Sequence, residues 1–297
     1  MNEEAFERVR KKGYKMGKIK IVTDSALDMT SDELTPFNIV IVPLTVLVEG
    51  QTYLDNVDLS PAEFLEKMAH TKEMPKTSQP PVGRFLEVYD KLGQDGSQII
   101  SIHMTGSMSG TYQSAKQAAE MSKSDVTVID SRYISKAQSY QVLEAARMAD
   151  SGHTVEEIVK RLNEVRSETK LYIMIDTLEN LIKGGRIGKA QGFIGSLLNI
   201  KPIANLDVGE LLPVTKVRSH AKAITFLVDQ ISEEVKGCDL VRFSIVHAGH
   251  NSFKFSQNLR TKITEATGFK DIDICITTPI ISAHAGPGAV GIMYWAK

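Results

Sequence analysis

Short apolar runs alternate with segments of helical periodicity through the first half of the chain, and this alternation constrains the fold more than any other feature. The runs are KIKIVT (18–23), NIVIVPLTVLV (38–48), QIISIHM (98–104) and DVTVID (125–130). Apolar strands separated by helical segments form a mostly parallel sheet with helices on both faces. The sequence therefore predicts an α/β fold.

Characteristic residues mark where several helices begin. Ser60 with Glu63, and Thr154 with Glu157, have the spacing of capping boxes, in which each side chain accepts a hydrogen bond from the other residue's backbone amide. A surface helix is expected over 81–92, because apolar residues recur there at helical spacing after two prolines.

At 297 residues, the chain is long enough for two domains. We expect a tail at 1–17, an N-terminal α/β domain at 18–176 that ends with the strand KLYIMID (170–176), and a C-terminal α/β domain at 177–297. The stretch 274–296 contains no Asp, Glu, Lys or Arg. Its glycines and prolines predict two buried strands around a Gly/Pro loop rather than a membrane helix.

Charge and cysteine content argue against several classes of function. The 35 basic and 36 acidic residues leave a net charge of −1, so the basic excess typical of nucleic-acid-binding proteins is absent and no such partner is expected. Cys238 and Cys275 form no C-x-x-C motif, and His247 and His250 have no third ligand at a matching spacing, so no metal is expected. The N-terminal segment has no apolar core of a signal peptide, which predicts a cytoplasmic protein.

Polar side chains cluster where the predicted strands of the first half end. They are Thr23, Asp24, Ser25, Ser107, Ser109 and Ser131. In open parallel sheets the ligand crevice lies beyond the carboxyl ends of the strands, so these loops are expected to converge on one cleft. Thr77, Ser78 and Gln79, before a predicted helix, can join them. Helix capping is the alternative role for each residue taken singly.

The loop TGSMSGTYQSA (105–115) leads from a strand into a helix. Its hydroxyls and the Gly110 amide, at the positive end of the helix dipole, can bind an anion, either a phosphate or a carboxylate. The chain contains no G-x-x-x-x-G-K-[ST] motif, and neither serine of the loop has the glycine spacing of a nucleophile elbow. Neither ATP binding nor an α/β-hydrolase is therefore indicated.

Near the end of the chain, GPGAVG (286–291) matches the dinucleotide-binding fingerprint. That fingerprint requires a helix after its last glycine, and the six residues that follow Gly291 are too few to form it. The motif instead offers His284, which a rigid Gly-Pro-Gly turn would orient as a ligand-binding group.

Two further segments have both a functional and a structural interpretation. Arg186, close to Lys183, lies after two glycines and is either part of a solvated helix terminus or an anion-pairing or docking residue. Phe193, Ile194 and Leu197 belong to a predicted helix that is apolar on more than one side. Such a helix belongs to the core or lines an apolar tunnel that leads away from the anion site.

Six motifs occur in one order along the chain: VTDSALDMT (22–30), TSQPP (77–81), MSGTYQSA (108–115), IDSR (129–132), KGGRIG (183–188) and HAGPGAVGI (284–292). Together they resemble the DegV family of bacterial fatty-acid-binding proteins, and the similarity covers nearly everything from Lys18 to the end. The resemblance implies a two-domain DegV-like fold with a ligand tunnel between the domains.

The resemblance also implies a function. Such a protein holds one long-chain fatty acid, uses no cofactor, and presents the carboxylate to a separate ATP-dependent kinase of the DAK type, which makes acyl phosphate for phospholipid synthesis. The chain would then be a non-catalytic substrate carrier, the binding subunit of a fatty acid kinase, in transient contact with the membrane surface.

Residue roles follow from the same motifs. The expected carboxylate ligands are Thr77, Ser109, the Gly110 amide and His284. Arg186 and Lys183 would help to dock the kinase. The remaining expected pocket residues are Thr23, Asp24, Ser25, Ser78, Ser107, Ser131, Phe193, Ile194 and Leu197.

The chain departs from the family pattern at three places. Thr105-Gly106 stands where two serines are usual, Ala285 replaces a threonine, and 136–139 replaces a smaller glycine-containing run. The last departure leaves the acyl-chain preference open. Two alternative functions also stay open: a hydrolase or acyltransferase with Ser109 as nucleophile and His284 as base, and a regulator that binds another small carboxylate or phosphate.

Overall fold

The structure is a computed structural model that describes residues 18–29, 31–71, 73–193 and 200–297. Its strands, in chain order, are β1 (Ile19–Asp24), β2 (Val40–Val42), β3 (Thr45–Val48), β4 (Gln51–Leu54), β5 (Lys76–Ser78), β6 (Gln98–His103), β7 (Val126–Asp130), β8 (Thr169–Met174), β9 (Lys201–Asp207), β10 (Glu210–Val217), β11 (Leu240–His247), β12 (Ile272–Ile276) and β13 (Val290–Ala296). Its α-helices, in chain order, are α1 (Ser31–Leu34), α2 (Pro61–His70), α3 (Val82–Leu92), α4 (Thr111–Met121), α5 (Ser135–Asp150), α6 (Val155–Glu168), α7 (Glu179–Lys183), α8 (His220–Glu234), α9 (His250–Thr267) and α10 (Pro279–Ala285). None of these helices is long and apolar enough to cross a membrane.

Four parallel strands form the first sheet, in the order β2-β1-β6-β7. Apolar residues of α3 and α4 pack with Val22 and Ile99, whereas those of α5 and α6 pack with Ile21 and Ile100. Because consecutive strand residues point to opposite faces, these two sets cover the two faces of the sheet. The α/β architecture predicted from the alternating pattern is confirmed.

The apolar run 38–48 forms two strands in two different sheets. β2 belongs to the parallel sheet, whereas β3 pairs with β4 and β5 in a three-stranded antiparallel sheet. Pro43 lies between the two strands and has no amide hydrogen for a sheet hydrogen bond. The break in this run therefore follows from the proline.

The second large sheet has six strands in the order β10-β9-β8-β13-β11-β12. β8 lies inside it, with antiparallel partners on both sides. The strand expected at the end of the N-terminal domain therefore lies in the other sheet, and α5 and α6, which pack together and contact β13, connect β7 to it. The division of the chain at 176 remains a prediction.

Helix α10 occupies part of the stretch that was expected to be a loop between two strands. β12 and β13 are present, but Pro279 begins a helix between them, and His284 lies in its last turn. Proline suits the first position of a helix, since its missing amide hydrogen has no intrahelical partner there. The glycines that follow, Gly286 and Gly288, have positive φ angles of 79° and 82° and form the turn into β13.

The predicted helix starts agree with the structure. Both capping boxes form, with Ser60 and Thr154 as the capping residues of α2 and α6. The helix expected over 81–92 is α3. These features depend on residues only a few positions apart, which is why local patterns suffice to predict them.

Candidate functional site

A cavity of about 370 Å³ lies between the two large sheets and is lined by both halves of the chain. Its apolar lining includes Leu44, Met104, Ile134, Leu171, Val246 and Ile280. These six residues also belong to one hydrophobic core cluster. The cavity therefore borders the apolar core of the molecule.

Thr77 and His284 meet in the wall of this cavity. Thr77 lies on β5 opposite the fully buried Val46 of β3, so its side chain points to the inner face of the small sheet. Its Oγ1 lies 2.7 Å from Nε2 of His284. Two segments 207 positions apart thus build one hydrogen-bonded pair at the cavity surface.

The imidazole of His284 is neutral at pH 7. Burial, and then the charge of Arg186, lower the pKa of His284 to about 4. Its Nδ1 is buried and has no hydrogen-bond partner among the described residues. A proton on Nε2 can be donated to Thr77, whereas a proton on Nδ1 would be an unsatisfied buried donor. With the proton on Nε2, the Thr77 hydroxyl keeps its own hydrogen for a ligand.

Ser109 and Arg186 line the same cavity. The Ser109 hydroxyl lies 2.8 Å from Oγ1 of Thr111, at the start of α4. The guanidinium of Arg186 donates from Nε to the Met108 carbonyl at 3.0 Å and from Nη1 to the Gly184 carbonyl at 2.6 Å. Arg186 is thus held against the residue that precedes Ser109.

Gln79 and Ser78 also line the cavity. The side-chain amide of Gln79 donates to Ser114 Oγ at 2.8 Å. A Cβ atom on Gly110 would lie 2.0 Å from Gln79 Oε1, so the glycine permits this close approach. Gln79 belongs to the polar cluster that was expected to join the site, although no binding role was assigned to it. Gly110 itself lies behind Gln79 and is not part of the cavity wall.

The strand-end residues Thr23, Asp24, Ser25 and Ser131 do not line the cavity. All four are buried, and each satisfies nearby polar groups. The Asp24 carboxylate, for example, accepts hydrogen bonds from the Met104 amide at 2.8 Å and the Ala26 amide at 3.0 Å. The structure places them in the core instead of the expected pocket, because α5 covers these strand ends: the Gln138 side-chain amide donates to Thr23 and Asp24, and that of Gln141 donates to the Ser131 carbonyl.

Two other expected pocket residues lie beside the cavity rather than in its wall. The Ser107 hydroxyl donates to the Gly209 carbonyl. Phe193 packs in a neighbouring apolar cluster with Leu181 and Leu211, which themselves line the cavity. The other members of the predicted helix, including Ile194 and Leu197, lie outside the described residues.

Lys183 is exposed and pairs with Glu179 one helical turn earlier. It does not line the cavity, whereas Arg186, three residues later, does. The docking role expected of both residues stays a prediction.

Two buried carboxylates hold the opposite end of α10. Asp28 accepts hydrogen bonds from the Thr278 amide at 2.7 Å and from the Thr277 hydroxyl, and Asp55 accepts one from the Ile280 amide at 3.2 Å. Burial raises the pKa of both carboxyl groups, that of Asp55 to about 7. These residues position the helix that carries His284, and sequence reasoning did not assign them this role.

A family model described as the DegV family matches residues 18–297. The chain belongs to the DegV family. A DegV domain-containing protein of Listeria monocytogenes is 45% identical over 281 residues, which cover 94% of this chain and 99% of the relative. The family predicted from the motifs is confirmed.

Solved DegV structures have the same fold. A fatty-acid-binding DegV family protein from Thermus thermophilus superposes with a TM-score of 0.88 at 30% identity, covering 94% of this chain and all of that protein. DegV from Bacillus subtilis, also a fatty-acid-binding protein, superposes with a TM-score of 0.85 at 32% identity, covering 95% of this chain and all of that protein. The predicted two-domain DegV fold is confirmed.

The geometry of this DegV protein does not support the hydrolase alternative. A serine nucleophile needs its hydroxyl within hydrogen-bond reach of the base. Nε2 of His284 lies against Thr77, and the Ser109 hydroxyl contacts Thr111 instead. Ser109 and His284 share a cavity without forming a nucleophile and base pair.

Proposed function

We propose that this protein binds one long-chain fatty acid, with the acyl chain in the cavity and the carboxylate against Thr77, Ser109 and His284. The observation that carries this proposal is the neutral His284 and Thr77 pair in the wall of a mainly apolar cavity. A carboxylate accepts hydrogen bonds only, and the Thr77 hydroxyl has a hydrogen to donate. The apolar lining favours a long acyl tail over a small polar carboxylate or phosphate.

Arg186 supplies the charge that a buried carboxylate needs. A guanidinium has five N–H donors, and the backbone contacts to Met108 and Gly184 use Nε and Nη1. The carboxylate can pair with the remaining donors, and such charge-assisted bonds are the stronger ones. His284 contributes orientation rather than charge because it is neutral at pH 7.

Affinity and orientation come from different parts of the ligand. Burial of about 15 methylene groups contributes up to ~12 kcal/mol, at ~0.8 kcal/mol each, before the cost of ordering the chain. Each hydrogen bond to a charged group contributes only about 1.5–3 kcal/mol. The tail therefore dominates affinity, and the polar groups determine where the carboxylate lies.

We further infer that the protein presents this carboxylate to a separate ATP-dependent kinase of the DAK type and has no turnover of its own. The chain carries no P-loop motif with which to bind ATP. Phosphoryl transfer depends mainly on positioning and charge stabilisation, and the site positions an oxygen nucleophile. A cytoplasmic location and transient contact with the membrane surface belong to the same proposal.

Native mass spectrometry of the purified protein tests the binding step, followed by denaturing extraction to identify any bound molecule. We expect one fatty acid per chain, either already bound or taken up from added palmitate or oleate. A protein that is empty and takes up neither would contradict the proposal.

The carrier step has a separate test. Loaded protein is mixed with a purified DAK-type kinase and ATP, and acyl phosphate is measured. We expect product only when both proteins are present, and less with Arg186→Ala at saturating fatty acid. Product formed by this protein and ATP alone would overturn the carrier role.

A further inference from the structure

Two β-hairpins of this protein have the same kind of tip. Val208 and Gly209 join β9 to β10 with φ angles of 50° and 85°, and Glu49 and Gly50 join β3 to β4 with φ angles of 53° and 77°. Two consecutive residues with positive φ between paired strands are typical of a type I′ turn. The backbone of the two turns is thus similar.

The surroundings of the two tips differ. A Cβ atom added to Gly50 would meet nothing within 4 Å. The same atom on Gly209 would lie 2.5 Å from Oγ1 of Thr105. The first tip projects into open space, whereas the second rests on the loop that carries Ser109.

Two hydroxyl groups bind the Gly209 carbonyl. Thr105 donates to this oxygen at 3.1 Å, and Ser107 donates to it as well. A carbonyl oxygen has two lone pairs and accepts both bonds. The hairpin belongs to the six-stranded sheet and the loop follows β6 of the parallel sheet, so these bonds connect the two halves of the molecule.

The same loop has two other supports. The Gly106 amide donates to the Asp130 carboxylate at 3.2 Å, and Arg186 donates to the Met108 carbonyl at 3.0 Å. Every residue from Thr105 to Met108 is therefore hydrogen-bonded to a distant element, directly before Ser109 enters the cavity wall. Small displacements of this loop would move the Ser109 hydroxyl.

The backbone conformation of this turn is unfavourable for Val208. Val208 is β-branched, has a positive φ and is 66% exposed. A β-branched residue rarely adopts this conformation, and an exposed side chain gains little packing in return. The tip is held in its shape by its contacts, which include those to Thr105 and Ser107.

We propose that the Gly209 carbonyl positions Ser109 for the ligand carboxylate through Ser107 and Thr105. These two hydroxyl residues are positioning residues, and the C-terminal half thereby controls a binding group that the N-terminal half carries. The inference rests on the proposed fatty-acid binding.

The test compares two ligands of equal chain length, palmitate and hexadecanol, of which only the first has a carboxylate. We expect Ser107→Ala to weaken palmitate binding by about 5–10-fold, the effect of one hydrogen bond, and to leave hexadecanol binding unchanged. Ser107→Thr keeps the hydroxyl and should restore palmitate binding. A merely structural role would weaken the binding of both ligands equally.

Gly209→Ala and its matched control Gly50→Ala test the hairpin side of the contact. Both substitutions place a side chain at positive φ and share that strain. Only Gly209→Ala should weaken palmitate binding relative to hexadecanol. The inference is overturned if Ser107→Ala and Gly209→Ala bind palmitate as wild type does, or lose both ligands equally. Wild-type protein that binds neither ligand overturns the proposed function, and this inference with it.

Discussion

His103 and His284 each place Nε2 2.7 Å from a hydroxyl oxygen, that of Ser101 in one case and that of Thr77 in the other. Their second ring nitrogens differ. Nδ1 of His103 lies 3.0 Å from the Asp24 carboxylate in the fully buried core, with the ring edge-on to Phe85. Nδ1 of His284 has no partner among the described residues, and its ring lines the cavity.

This difference separates a structural histidine from a candidate ligand. Ser101, His103 and Asp24 have the residue types and contacts of a hydrolytic triad. All three are fully buried, and none of them lines the cavity. Access to a ligand, rather than the set of side chains, distinguishes the site at His284 from the network at His103.

Removing the carboxylate beside His103 should have the largest effect on folding. Asp24→Ala leaves His103 and the amides of Ala26 and Met104 without their acceptor in the core. We expect the free energy of unfolding to fall by about 3–5 kcal/mol, measured by urea denaturation. His284→Ala should change it by less than about 1 kcal/mol. Similar losses for both variants would contradict the distinction between the two histidines.

The pH dependence of stability should report on His284. Its pKa falls from 6.5 in the unfolded chain to about 4 in the folded protein. Between these values the unfolded state binds more protons, so stability falls as the pH drops through this window, by up to about 3 kcal/mol. His284→Gln should lack this loss when urea denaturation at about pH 4.5 and pH 7.5 is compared.

Asp55 acts in the opposite direction and must be accounted for. Its pKa is raised from 3.8 to about 7, so the folded state binds more protons between these values, and stability falls as the pH rises. Because Asp55 is present in both wild type and His284→Gln, its contribution cancels in their difference. If the difference in unfolding free energy between wild type and His284→Gln does not change with pH, the neutral state of His284 at pH 7 is refuted.

The hydroxyl partners of the two histidines provide a third comparison. Thr77→Val keeps the shape of the side chain and removes a hydrogen bond to the carboxylate, so fatty-acid affinity should fall by about 10–100-fold. Nε2 of His284 also loses its acceptor, so the free energy of unfolding should fall by about 1–3 kcal/mol. Ser101→Ala should lower stability and leave affinity unchanged in isothermal titration. A loss of affinity in Ser101→Ala would show that the buried network reaches the site.

The smallest expected effect concerns the charge beside His284. Arg186 contributes to the low pKa of His284, but burial contributes more. Arg186→Met should therefore raise this pKa by less than about one pH unit, still below 6.5, in an NMR titration of the imidazole. An unchanged pKa would show that Arg186 does not act on the ring.

Local patterns predicted the secondary structure better than the site. The capping boxes at Ser60 and Thr154, and helix α3, depend on neighbours within one or two helical turns. Asp24 was expected in the pocket because strand ends of an open sheet usually face a crevice. In this protein other elements cover that strand end, and no local pattern reveals such a cover.

The sequence by itself determined the α/β class, the DegV motifs and the identity of the polar residues Thr77, Ser109 and His284, since each is read from adjacent residues or short spacings. Only the tertiary structure decided which polar residues face the cavity, since α5 covers Asp24 whereas Thr77 lies beside His284 in the cavity wall. The physical reason is that burial and hydrogen-bond partners depend on contacts between distant segments. The same type of polar side chain is a buried structural residue where other elements pack over it, and a ligand-binding residue where it faces the cavity.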